Sequence, residues 1–350
     1  MPSSGKPRCL LAAGGTAGHV LPALAVAESL RGLGAEVSFA SNAESRLVRE
    51  AGYELDVFGV EGFPREPGVR LVKALGRAAA AVPASMQILR RRRPDVVIGG
   101  GSYVAGPIVL AAGALRIPAA LTEADARLGL GNRLAAPFAR AVFLAFPIAG
   151  LEPPKYRVVG RPIPTRSRPV ARAEARRRFE LPKDGAVVLV FGGSQGARRL
   201  NEAAVEAFGR SGPAVLHLTG ERDYPGLAER VARPDYRLLA FTDDFGAALA
   251  SADLVVARAG GSVWEVAAAG RPALLVPYPH ATADHQTANA RFFERGGGAI
   301  VVPEAELDLR RQVDELLADL GRLARMGEAM TSLARPDAAD VIARELLALA

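Results

Sequence analysis

Cysteine is almost missing from this chain. Cys9 stands alone among 350 residues, which excludes an intramolecular disulfide and a cysteine-built zinc site. It falls in the first apolar run and reads as a small core residue. Lysine is scarce as well, found only at 6, 73, 155 and 183 among 44 basic residues. That arginine bias fits genome composition or heat adaptation as readily as function, so no argument rests on it. No run of 18 uninterrupted apolar residues occurs, which argues against a transmembrane helix. The apolar run after Arg8 breaks at Gly14-Gly15, too soon for the core of a signal peptide. The expected location is therefore cytoplasmic, soluble or peripherally attached. No Asp-x-Asp is found anywhere, so the carboxylate pair that commonly grips a divalent ion is lacking. No stacking aromatics interleave the basic clusters, which disfavours nucleic acid as a partner.

What is present begins with size. The chain can supply two ordinary domains, and 49% apolar with 23% charged residues describes a folded globular protein. A formal charge of +7 and a pI near 10.0 point towards anionic partners: nucleic acid, acidic lipid or phosphorylated metabolites.

Two glycine-rich turns then stand out, Gly14-Gly15-Thr16-Ala17-Gly18-His19 and Gly192-Gly193-Ser194-Gln195-Gly196-Ala197. Each follows an apolar strand-like run (Cys9–Ala13, Val187–Phe191) and opens a helical pattern. Such a turn on a helix N-terminus lets backbone N–H groups approach an anion. Around them, short apolar runs alternate with helical patterns. Strands are expected at Glu36–Ala40, Val96–Ile98, Ala119–Leu121, Ala141–Leu144 and Tyr156–Val159. Helices are expected at Leu21–Leu33, Ala43–Ala51, Arg70–Arg92, Gly106–Leu115 and about Leu128–Ala136. After a break at Gly160-Arg161-Pro162-Ile163-Pro164 the alternation restarts, with helices that include Ser262–Ala269 and Ala283–Arg295. The pattern predicts an α/β protein of two doubly wound, Rossmann-like domains facing each other across a cleft. The expected division is 1–161, 162–335, and a closing segment 336–350 that packs back on the first domain.

Several polar clusters follow predicted strands. His19 closes the first glycine turn, where an imidazole can take a proton or donate to a phosphate; its plain alternative is a helix-start residue. Glu123 and Asp125 follow another strand and suit acid/base work or helix capping. A third glycine turn, Gly99-Gly100-Gly101-Ser102-Tyr103, favours a second bulky anion in the first domain. In the second, Ser262 and Glu265 fit a capping box, and Glu265 equally fits a sugar diol. His280, Asp284, His285 and Gln286 form a cluster for a polyol or a solvated loop. A metal there lacks further ligands. Along 61–95, eight basic residues stand against three acidic ones. Arg70, Lys73 and Arg77 share one helix side beside an apolar surface that includes Leu75. That stretch reads as a patch for an anionic bilayer or as a plain solvated helix.

Taken in order, the motifs carry a resemblance: GGTAGH at 14–19, GGSYVAGP at 100–107, TEAD at 122–125, GRPIP at 160–164, GGSQGARRLN at 192–201, FTDDF at 241–245, RAGGSVWE at 258–265 and DHQTANA at 284–290. Over nearly its whole length the chain resembles the MurG family of bacterial UDP-N-acetylglucosamine:N-acetylmuramyl-(pentapeptide) pyrophosphoryl-undecaprenol N-acetylglucosamine transferases, of glycosyltransferase family 28. The resemblance implies the GT-B fold; no cofactor is expected, and the missing Asp-x-Asp predicts catalysis without a tightly bound metal. It implies inverting transfer of GlcNAc from UDP-GlcNAc to the muramyl 4-hydroxyl of lipid I, giving lipid II and UDP in peptidoglycan synthesis. The N-terminal domain would face the membrane and hold the acceptor; the C-terminal domain would hold UDP-GlcNAc. Donor contacts would come from Thr16, Gly18, Asp125, Arg161, Ser194, Gln195, Gly196, Thr242, Phe245, Glu265, His285 and Gln286. The acceptor diphosphate would lie on Gly14, Gly15, Thr16, Gly18, His19, Gly101 and Tyr103. His19 is the first choice of general base, with Glu123 or Asp125 behind it. Anionic lipids at the cytoplasmic face of the plasma membrane and cell-wall synthesis and division proteins are the implied partners.

The chain departs from the family in two motifs. Asp125 stands where the family has Asn, and Arg161 replaces the Asn of a Gly-Asn-Pro linker whose following Arg is here Pro164. Arg161 or Arg166 is expected to restore that charge near the donor. Competing readings are another GT-B enzyme, such as a UDP-GlcNAc 2-epimerase or a glycolipid glycosyltransferase, and a non-catalytic nucleotide-sugar scaffold. A dinucleotide oxidoreductase fits poorly, since neither turn has Gly-x-Gly-x-x-Gly spacing.

Overall fold

A computed structural model describes all residues except 1–4, 15–16, 44, 61–68, 102 and 194–195; for Ala17 and residues 69–75 only the backbone is described. The chain forms two compact units, Met1–Pro164 with Arg335–Ala350, and Thr165–Ala334.

The first unit runs β1 (Arg8–Ala12), α1 (Ala17–Gly32), β2 (Glu36–Ser41), α2 (Arg46–Glu50), β3 (Glu54–Val57), α3 (Val69–Arg92), β4 (Val96–Gly99), α4 (Ala105–Ala114), β5 (Ala119–Glu123), α5 (Leu130–Ala135), β6 (Ala141–Leu144) and β7 (Tyr156–Val158). Its seven strands are all parallel, in the order β3-β2-β1-β4-β5-β6-β7. Central strands such as β4 and β6 are buried on both faces, so they read as unbroken apolar runs rather than alternating ones. Strand order reverses between β1 and β4, with Ala12 beside Gly99. Ligands of such sheets bind beyond the carboxyl ends of the strands at this reversal.

The second unit runs α6 (Arg172–Arg178), β8 (Val187–Phe191), α7 (Arg198–Phe208), β9 (Ala214–Leu218), α8 (Tyr224–Ala228), β10 (Tyr236–Leu239), α9 (Phe245–Ser251), β11 (Leu254–Ala257), α10 (Val263–Ala268), β12 (Ala273–Leu275), α11 (His285–Arg295), β13 (Ala299–Val301), α12 (Leu309–Ala318) and α13 (Leu320–Leu333). Its six parallel strands are ordered β10-β9-β8-β11-β12-β13, and the reversal falls between β8 and β11. Helix α14 (Ala338–Leu347) returns to the first unit and packs on α1. Its Ile342 and Leu346 are fully buried, worth roughly 1.5–3 kcal/mol each.

Some elements differ from the sequence pattern. Strand β3 is an edge strand reading Glu-Leu-Asp-Val, with only its middle two residues buried, so no apolar run marks it. The helix expected from Ala283 starts at His285, because Ala283 and Asp284 are left-handed, at φ 52° and 53°. The capping box at Ser262 is not formed. Ser262 has helical φ/ψ of −62° and −12°, and its side chain makes no cap bond. Cys9 is buried in β1, and that burial pushes its thiol up to about 12.

Candidate functional site

Parallel strands send every following loop to one edge of the sheet. In the first unit this gathers the residues after β1 (Gly14, Gly18, His19), after β4 (Gly100, Gly101, Tyr103), after β5 (Glu123, Asp125) and after β7 (Arg161). Gly14 is required by close approach: a Cβ there would lie 2.5 Å from Asn42 Oδ1 and 2.6 Å from Ser41 Oγ. Asn42 Nδ2 in turn donates to the Tyr103 hydroxyl at 3.0 Å. Thr122 Oγ1 donates to the Gly99 carbonyl at 3.3 Å, tying β5 to the third glycine turn.

His19 lies in the first turn of α1 and lines a small cavity with Gly18, Gly100, Thr122, Glu123 and Arg161. A Cβ on Gly101 would lie 3.9 Å from His19 Nδ1, so the first and third glycine turns meet at this imidazole. Nδ1 is enclosed and has no hydrogen-bond partner among the described residues. An enclosed nitrogen without a partner is costly, and it marks where a ligand atom would be satisfied. Burial lowers the His19 pKa, Arg161 lowers it further, and Asp125 opposes them. The ring is neutral at pH 7 and able to accept a proton.

Glu123 is buried and tied down. Its Oε2 accepts from Gly129 N and Asn132 Nδ2, both at 2.9 Å, and its Oε1 from Asp125 N at 3.2 Å. Burial pushes its carboxyl up to about 7 although these donors pull the other way. Its visible work is to hold the 124–129 loop, and with it Asp125, which is half-buried. Arg161 is buried, and its guanidinium donates to the Gly18 carbonyl. Arg161 is thereby tied to the first glycine turn within the first unit. Arg166 instead sits in the second unit, 3.7 Å from Asp243.

In the second unit the same logic collects the glycine turn after β8, Thr242 and Phe245 after β10, Glu265 after β11, and His285 with Gln286 after β12. Thr16, Gly15, Ser194 and Gln195 lie outside the described residues. Gly196 has φ +72°, and a Cβ there would meet the Thr219 carbonyl at 2.7 Å and Asp223 Oδ2 at 3.0 Å, so only glycine fits. The Phe245 ring meets Phe191 edge-on at 5.1 Å, fixing the start of α9 beside the end of β8. Thr242 Oγ1 accepts from Asp244 N at 3.1 Å. Gln286 Oε1 accepts from Tyr278 N at 2.9 Å. The 2.8 Å contact of His285 Nδ1 with the Thr282 carbonyl requires a proton on Nδ1, which leaves Nε2 as the acceptor of the neutral ring. Glu265 is half-buried in the first turn of α10.

Sequence reasoning missed a buried network behind this second turn. Tyr236 OH lies 2.9 Å from His217 Nδ1, and His217 Nε2 3.0 Å from Asn201 Oδ1. Asn201 Nδ2 donates to the Thr219 carbonyl at 2.9 Å and to Asp223 Oδ2 at 3.0 Å. Asp223 pairs with Arg222 at 2.9 Å and approaches Arg198 at 3.8 Å. Arg258 was missed as well, although it opens a noted motif. It donates to the carbonyls of Val276 and Pro277 and pairs with Glu304, joining the loops after β11 and β12.

On the surface, the side chains of Arg70, Lys73 and Leu75 lie outside the described residues, while Arg77 is exposed. Arg91 and Arg92, in the last turn of α3, pair with Asp56, which neutralises part of the basic stretch. Leu130, Leu134 and Phe138 are exposed beside Arg133 and Arg140. Among the described residues no helix is long and apolar enough to cross a membrane. No cluster of three metal-type side chains gathers among them either.

Two all-parallel units, each with a glycine turn at its strand reversal, define a protein of the GT-B fold class. The glycosyltransferase family 28 N-terminal domain matches residues 9–144, and the glycosyltransferase family 28 C-terminal domain matches residues 187–342. A UDP-N-acetylglucosamine--N-acetylmuramyl-(pentapeptide) pyrophosphoryl-undecaprenol N-acetylglucosamine transferase of Acidithiobacillus ferrooxidans is 43% identical, covering 95% of each chain. One of the same name from Mycobacterium tuberculosis is 41% identical over all of this chain and 90% of its own length. The crystal structure of Acinetobacter baumannii MurG superposes with a TM-score of 0.78 at 30% identity, covering 98% of this chain and all of that one. The chain belongs to glycosyltransferase family 28, among the transferases of this name.

Proposed function

We infer that this chain transfers GlcNAc from UDP-GlcNAc to the 4-hydroxyl of the MurNAc of lipid I, forming lipid II and UDP in peptidoglycan synthesis. The observation that carries the reading is identity of about two residues in five, along nearly the whole chain, with enzymes named for that transfer. In the reaction the acceptor oxygen forms a bond to the anomeric carbon as the bond from that carbon to UDP breaks. Attack from the face opposite UDP inverts the centre and gives a β-1,4 link.

The chemistry divides between the units. The leaving diphosphate needs oriented donors, which the glycine turn before α7 supplies in the second unit. Glu265 is suited to the ribose diol, Gln286 and His285 Nε2 to sugar hydroxyls, and the Thr242–Phe245 segment to uracil. In the first unit the turns around Gly14 and Gly101 suit the acceptor diphosphate. His19, neutral and short of one partner at Nδ1, takes the proton of the attacking hydroxyl. Glu123 is spent on holding the 124–129 loop, which leaves Asp125 as its closest rival for that role. Attachment is peripheral, at the cytoplasmic face of the membrane. The basic end of α3 and the exposed Leu130, Leu134 and Phe138 among arginines support contact with anionic lipid. Equal binding to anionic and neutral vesicles would remove the electrostatic part.

The deciding experiment incubates purified, exhaustively chelated protein with UDP-GlcNAc and a short-chain lipid I analogue and identifies products by mass. The expected product gains one GlcNAc, with UDP released. Altered sugar from UDP-GlcNAc alone would favour an epimerase, and binding without turnover a scaffold. Activity lost on chelation and restored by one divalent ion would refute catalysis without metal.

A further inference from the structure

Helix α1 carries a proline in its second turn, Pro22. Proline has no N–H, so the bond that residue 22 would donate four residues back, to the Gly18 carbonyl, cannot form. That carbonyl is nevertheless satisfied. Arg161, 143 residues away, sends its guanidinium onto it, and Arg161 is buried at 9% exposure. The next residue after Gly18 is His19. We propose that Arg161 is a positioning residue for His19, supplying the helix bond that Pro22 removes and opposing the charge of Asp125 at the imidazole.

The charged groups that face His19 can be named element by element. From the loop after β5 come Glu123 and Asp125; from the segment after β7 comes Arg161; β1, α14 and the glycine turn after β4 bring Leu11, Ile342 and Gly100, which carry no charge. Of the charged three, Arg161 and Asp125 act on the imidazole with opposite sign, while Glu123 is saturated by N–H donors. Arg161 disfavours a second proton on the ring and Asp125 favours it. Arg161 therefore fixes where the imidazole stands, and the pair sets the pH range in which it is an acceptor. This inference rests on the base role given to His19 above, and its primary readout does not depend on catalysis.

The test is an NMR titration of the His19 imidazole in the full chain, the signal assigned by its loss in His19→Gln. Arg161→Gln is expected to raise the midpoint by about one pH unit and Asp125→Asn to lower it by a similar amount. The double variant should return towards wild type, and Arg161→Lys should stay near wild type because the charge is kept. Shifts of the same sign in the two single variants, or no shift in Arg161→Gln, would overturn the proposal. Positioning is read separately. Pro22→Ala restores the missing donor, so adding it to Arg161→Gln should recover most of the lost kcat without restoring the midpoint. An unchanged deficit would overturn the positioning half. Where midpoints move as expected while the acid limb of kcat/KM does not follow, the inference about Arg161 holds and the base role of His19 fails.

Discussion

Two enclosed imidazoles in this molecule make opposite use of burial. His217, in the middle of β9, has both ring nitrogens partnered, by Tyr236 and Asn201. Burial pushes its pKa down to about 3. His19, at the start of α1, has an enclosed nitrogen with no partner among the described residues and charges of both signs acting on it. A satisfied buried histidine is structure; an unsatisfied one at a strand edge awaits a ligand. The carboxylates near the two glycine turns differ in the same way. Asp223 is held below its usual range, first by its bond to Arg222. Glu123 has only N–H donors and rises to about 7. The second turn is backed by a closed, ionised network, and the first by a neutral imidazole and a carboxyl that burial raises.

The largest expected effect follows directly. His19→Ala should lower turnover by about 10²–10⁴-fold, the range for removal of a general base, with thermal unfolding almost unchanged. Steady-state kinetics beside a melting curve checks both; unchanged turnover and an unchanged pH profile would eliminate His19 as the base. His217→Ala should do the reverse. It leaves the Tyr236 hydroxyl and the Asn201 carbonyl unpartnered in a buried site, a loss of roughly 2–4 kcal/mol in denaturant titration. The sign with pH is fixed as well. The folded state holds His217 neutral, so its contribution is complete above the ordinary value of 6.5 and is lost as pH falls towards about 3. The variant should lack that part of the acid decline. A His217 that proved dispensable for stability and essential for turnover would erase the distinction.

The same contrast explains what could be read from the chain beforehand. Central strands were legible because parallel strands buried on both faces are apolar throughout, and the glycine turns because each follows such a run. His19 stood out by sitting at the end of a turn. His217 did not, because its meaning depends on Asn201 from α7 and Tyr236 from β10, neither close in sequence. Arg161 was read as a charge for the donor, while its bond to a carbonyl freed by Pro22 on a distant helix gave no signal. Asn132 gave no signal either, although it donates to both the Thr122 carbonyl and Glu123. Side chains that act through local pattern were visible, and those that act through tertiary pairing were not.

A smaller effect separates the carboxylates. Burial raises the Glu123 pKa from 4.5 to about 7, so the fold binds its proton more tightly than the unfolded chain does. Its contribution is complete below pH 4.5 and is lost as pH rises through about 7, at a slope of about 1.4 kcal/mol per pH unit at most. Glu123→Gln should flatten that alkaline decline in melting curves taken across pH. It should also weaken the 124–129 loop, since an amide nitrogen cannot accept from Asp125 N. A variant with the same alkaline slope as wild type would mean that Glu123 is ionised throughout the range.

The smallest change tests whether the second turn only holds its ligand. In Asp223→Asn one oxygen remains for Asn201 Nδ2, so the buried part of the network survives. What is lost is the charge that gathers Arg222 and Arg198, whose side chains are 60% and 69% exposed. Pairs so exposed add little to stability and are screened by salt, so the melting temperature should hardly move. The α7 arginine beside the glycine turn would be less well placed, however, and the KM for UDP-GlcNAc should rise several-fold with kcat nearly constant. Uniform binding is lost when KM rises alone, which is the signature of a turn that grips substrate and transition state alike. A fall in kcat as large as that of His19→Ala, with KM unchanged, would instead make the second turn a participant in the chemical step and dissolve the division between a holding unit and a reacting one.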